Sequence, residues 1–92
     1  MLVAVSVGVW LMRSDRVVST LIEAHEVLLG QRPRLDARPQ VWIDFHRHSA
    51  EVYAQAANVD ERHRHEASQW AASEIRKARE IEHRLNPEGD AE

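Results

Sequence analysis

Apolar side chains at Val17, Val18, Leu21, Ile22, Leu28 and Leu29, with His25 in the same stripe, keep a three- to four-residue spacing that stops at Gly30. That period predicts an amphipathic helix over residues 14–29, capped by Ser14 or Asp15. The stretch GQRPRLDARPQ follows and carries two prolines and a glycine, so residues 30–37 read as a linker. Asp36 can cap a second helix, with Pro39 tolerated in its first turn.

From Gln40 to Asn86 there is neither glycine nor proline, and 47 residues would form one rod about 70 Å long. The phase of the apolar stripe argues for a reversal instead. Trp42, Phe45, Ser49, Val52, Ala56 and Val59 form one stripe; Ala67, Trp70, Ala71, Ile75, Ala78, Ile81 and Leu85 form another in a shifted phase. Two helices, 38–57 and 59–85, folded as an antiparallel hairpin with a turn near 57–60, account for both. Asn58-x-x-Glu61 resembles a capping box at the second start, and Asn86-Pro87 closes the last helix, leaving 86–92 as a solvated tail. The expectation is one all-α domain of three helices over residues 1–92.

Residues 1–12 are apolar almost throughout, yet twelve residues fall short of the roughly twenty that span a bilayer. A signal peptide would open with positive charge, whereas the first charged residue is Arg13. No membrane association is expected. Val3, Val5, Val7 and Val9 alternate with smaller residues as a short strand would; an upstream extension of the first helix or a frayed tail fits as well.

Composition narrows the chemistry. The chain has 92 residues and no cysteine, which excludes disulfides and thiolate metal sites and agrees with a cytoplasmic protein. Twelve cations against fifteen acids give a net charge of −3, distributed as +1 over residues 1–48 and −4 over 49–92. No strongly basic field is present to hold nucleic acid. Six histidines would carry the charge from −3 to +3 if all took a proton. A chain this short buries only about 60–65% of its unfolded surface, so the apolar faces exceed what three helices hide. A homodimer with the hairpins packed together, and a protein partner, are expected.

The histidines fall as His46-x-His48 and His63-x-His65, with His25 and His83 apart. Residues two apart point about 200° apart on a helix, so neither pair makes a same-face metal site. Glu80-x-x-His83 has the spacing of di-metal bundles but is flanked by Arg79 and Arg84, as a solvated ion-pair face would be. Tyr53, His63, His65 and Glu66 lie near the turn, where a hydroxyl–imidazole–carboxylate network, or a metal, would join them; a set of solvent-facing histidines is the alternative. With the turn at 58, His65 would approach Val52 and Tyr53, and Trp70 would approach His48. Arg32, Arg34 and Arg38 form a basic patch able to contact phosphate, offset by Asp36. Trp42, Phe45, Val52, Trp70 and Ile75 read as packing or interface residues. No phosphate loop, nucleophile elbow or Ser-His-Asp order is present, so no enzyme and no cofactor is expected.

His48-Ser49-Ala50, Val52-Tyr53-Ala54, Val59-Asp60, His63, His65-Glu66-Ala67, Trp70-Ala71 and Lys77-Ala78 together resemble a set of small actinobacterial helical proteins of unknown function. The resemblance covers about residues 42–82. It implies that His63, His65, Glu66 and Trp70 belong together, and carries no reaction, ligand or partner. The leading expectation is thus a noncatalytic interaction or regulatory accessory protein. The alternatives are a metal- or pH-responsive histidine bundle and a DNA-associated accessory protein.

Overall fold

The computed structural model describes residues 19–87, which form three α-helices: α1 (Leu21–Gln31), α2 (Pro39–Val59) and α3 (Arg64–Leu85), with a single 3-10 turn, Glu61–His63, between the last two. The apolar leader 1–12 and its strand reading lie outside the described residues. Among those described, no helix is long and apolar enough to cross a membrane.

α1 begins later than the apolar stripe suggests. Thr20 is extended (φ −141, ψ 158), and its hydroxyl accepts a hydrogen bond from the Glu23 amide at 3.0 Å. Glu23 answers by accepting from the Ser19 amide at 2.7 Å, the reciprocal arrangement that satisfies helix-start amides. An unbroken helix from residue 14 is thereby corrected to one starting at Leu21. Gly30 does not stop it; the helix runs one residue further, to Gln31.

α2 is entered through Arg38, with Pro39 in its first turn and no side-chain cap. Asp36, the expected cap, is instead paired with Arg34 at 3.2 Å. The linker is pinned from the helix side: the Trp42 indole N–H donates to the Arg34 carbonyl at 3.1 Å, and the Arg32 guanidinium lies 5.4 Å from the centre of the Trp42 ring.

The chain reverses at Asp60, close to the position the phase shift predicts. The cap is Asp60 rather than Asn58. Its carboxylate accepts from the His63 amide (3.3 Å) and His63 Nδ1–H (2.9 Å), and also from the Leu21 amide at the start of α1 (3.0 Å). One buried carboxylate therefore satisfies amides at the hairpin turn and at the start of α1, joining segments 39 residues apart in sequence.

α2 and α3 run antiparallel: Arg64 Nε–H donates to the Ala57 carbonyl near the turn, His46 meets Glu74 midway, and Arg47 pairs with Glu82 at the far end. α1 lies antiparallel along α2, from Leu21 beside Asp60, through His25 beside Tyr53, to Gln31 beside His48. Leu21, Ala24 and Leu28 join Phe45, Val52, Tyr53, Ala56, Ala57 and Ala67 in the core. Four of those nine are alanines, so the helices can approach closely, and the core is thin.

Candidate functional site

Between the three helices a trough opens, with α2 as its floor and α1 and α3 as its walls. It encloses about 310 Å³. His25, Leu28 and Leu29 line it from α1 with Arg32 just past that helix's end, Phe45, His46, Ser49 and Tyr53 from α2, and Trp70, Glu74 and Lys77 from α3. His25 with Leu28 and Leu29 on α1, and Trp70, Glu74 and Lys77 in turn on α3, are three or four residues apart, so each set shares one face of its helix.

Two polar links cross the trough. His46 Nδ1–H donates to Glu74 Oε1 at 2.8 Å, with side chains only 13% and 7% exposed. Glu74 Oε2 accepts from Lys77 Nζ at 2.9 Å, so this buried carboxylate has a partner on each oxygen, as burial demands. Nearby, the Tyr53 hydroxyl and His25 Nδ1 share a hydrogen bond of 2.7 Å. The Trp70 ring stacks on Tyr53 (5.6 Å, 26°) and meets His25 edge-on (4.9 Å, 83°). Burial, with the Glu74 charge adding to it, pushes the Tyr53 phenol up to about 12, so it remains a neutral hydroxyl at physiological pH. Ser49 is buried beneath and donates to the Phe45 carbonyl at 2.7 Å.

Asp60 and His48 stand outside this constellation. The Leu21 amide and His63 hold the Asp60 carboxyl below its usual value. Burial lowers His48, whose Nε2–H donates to Gln31 Oε1 at 3.1 Å.

Tyr53, His63, His65 and Glu66 are not brought together. Tyr53 turns to His25; His63 folds back onto Asp60; His65 is exposed and accepts from Gln69 Nε2 at 3.2 Å; Glu66 is exposed. The reason is register. Moving the turn by two residues displaces every cross-helix partner by about one helical turn, so Trp70 lies against Tyr53 instead of His48. Among the described residues no three His, Asp or Glu side chains converge as a metal site requires. Of the packing residues, Phe45 and Val52 are in the core, Trp42 packs against it, Trp70 is 37% exposed in the trough wall, and Ile75 is 44% exposed. In the arginine patch, Arg34 is tied to Asp36 and Arg32 lies over Trp42.

The residues that sequence reasoning misses are His25, His46, Glu74, Lys77 and Asp60. A hairpin folded about Asp60 sets His46 opposite Glu74, so a correct turn would have exposed that pair.

A second concavity lies on the other side of the hairpin. Ala50, Ala54, Ile75 and Ala78 form a groove of about 420 Å³, bordered by Arg47, Glu51, Arg79 and Glu82. Comparison of the chain with family models finds no match, and neither curated proteins nor solved structures yield a significant one.

Proposed function

We propose that this protein is a cytoplasmic, noncatalytic interaction module that works as a homodimer, joined through the groove of Ala50, Ala54, Ile75 and Ala78. The observation that carries this reading is the border of that groove, which has two cations, Arg47 and Arg79, and two acids, Glu51 and Glu82. In a two-fold contact a surface meets itself, so a border of balanced sign is self-complementary, whereas a border of one sign would repel. Three alanines on the floor let a second hairpin approach closely, and Ile75 supplies an apolar anchor.

Sedimentation equilibrium of the full chain at micromolar concentration tests it. The expected result is a dimer that Ala54→Glu converts to monomer. Ala54 is exposed within the chain, so the substitution leaves the monomer fold intact. A wild-type chain that sediments as a monomer up to about 100 μM, a limit near 5.5 kcal/mol of association energy, would overturn the reading.

A further inference from the structure

We propose that the trough between α1, α2 and α3 is a binding site for a small organic carboxylate with a flat, apolar body. The inference does not depend on dimerisation, because the trough and the groove occupy different faces of the hairpin.

The volume, about 310 Å³, is at the lower end of the range that accepts small organic ligands. The charge at the walls selects an anion. Arg32 and Lys77 stand on opposite walls, and Glu74 is the one carboxylate in the lining. Glu74 already has His46 on one oxygen and Lys77 on the other. The Lys77 ammonium has three donors and uses one there; the Arg32 guanidinium has five. His25 has Nδ1 engaged with Tyr53, and where that nitrogen accepts from the phenol hydroxyl its Nε2–H is a donor for the guest.

The rest of the lining selects a flat apolar body. Leu28, Leu29, Phe45 and the partly exposed Trp70 surround the polar links. Trp70 is braced by Tyr53 and His25, so a ring packing beside it meets a surface already held in place. One carboxylate matches the surplus of one cation over one acid; a phosphate dianion would need the donor-rich nest that this lining lacks.

Titration of the full chain with benzoate, followed by calorimetry and by tryptophan fluorescence, tests the site. Saturable binding tighter than about 1 mM is expected, with neutral benzamide about tenfold weaker and benzylamine not binding. Arg32→Gln or Lys77→Gln is expected to weaken benzoate by about tenfold while circular dichroism stays unchanged, since both side chains are at the surface and a glutamine amide can still donate to Glu74. No saturation by 10 mM, binding that neither substitution alters, or equal affinity for benzylamine each overturns the proposal.

Discussion

Tyr53→Phe isolates the hydrogen bond that ties α1 to the hairpin. The ring stays, so its burial in the core and its stacking on Trp70 at 5.6 Å are retained, and only the 2.7 Å contact with His25 is lost. A hydrogen bond of this kind contributes about 1 kcal/mol net. His25 is only half-buried and lines the open trough, so water can replace the hydroxyl and the larger penalty of a stranded buried group does not apply. The expected cost is therefore about 1 kcal/mol, against about 3–5 kcal/mol for removing the whole ring with Tyr53→Ala. In urea, with a slope of about 1 kcal/mol per molar for so small a domain, the midpoint falls by about 1 M. Thermal melting falls by about 4–8 °C. Circular dichroism of Tyr53→Phe, His25→Ala and the double variant closes a cycle in which the hydroxyl should cost nothing once His25 is gone. A Tyr53→Phe cost that persists unchanged in the His25→Ala background would refute the assignment. The same variant has an alkaline signature. Because the folded-state phenol is raised to about 12, its contribution is fully present below pH 10 and is lost as pH rises through 12. Tyr53→Phe should remove that part of the alkaline loss.

At the opposite end of the pH scale, Asp60 has a lowered folded-state pKa, so its contribution is present above about pH 3.8 and lost as pH falls through the folded value. Asp60→Asn should lower stability at neutral pH and flatten the acid limb of a pH–stability profile; an unaltered limb would remove Asp60 as the link between α1 and the turn. Ala67 is wholly buried in the alanine seam, so Ala67→Leu should destabilise by about 1–3 kcal/mol through overpacking, measured by urea denaturation. A neutral or stabilising result would mean that the seam has room the packing does not show.

Particular residues show what was legible. The stripe through Trp42, Phe45, Val52 and Ala56 and the shifted one through Ala67 and Ala78 identify two helices and a reversal between them, and the reversal is observed at Asp60. Periodicity records which face of each helix turns inward because burial acts on every turn alike. The start of α1 was not legible from the apolar stripe, since Thr20 and Glu23 act through hydrogen bonds to amides and leave no mark on hydrophobicity.

The candidate site depended on more. His25, His46 and Glu74 lie on three helices and are 28 residues from their partners at both polar links, so no local spacing connects them. The amino-acid order by itself determined helical content, the existence of a reversal to within about two residues and the absence of thiol chemistry, because those follow from local propensity and composition. Tertiary structure alone decided that Tyr53 meets His25 and Trp70 rather than His63, His65 and Glu66. Cross-helix register is set jointly by the exact cap residue and by how closely the alanine faces pack, and neither is encoded in the period of the stripe.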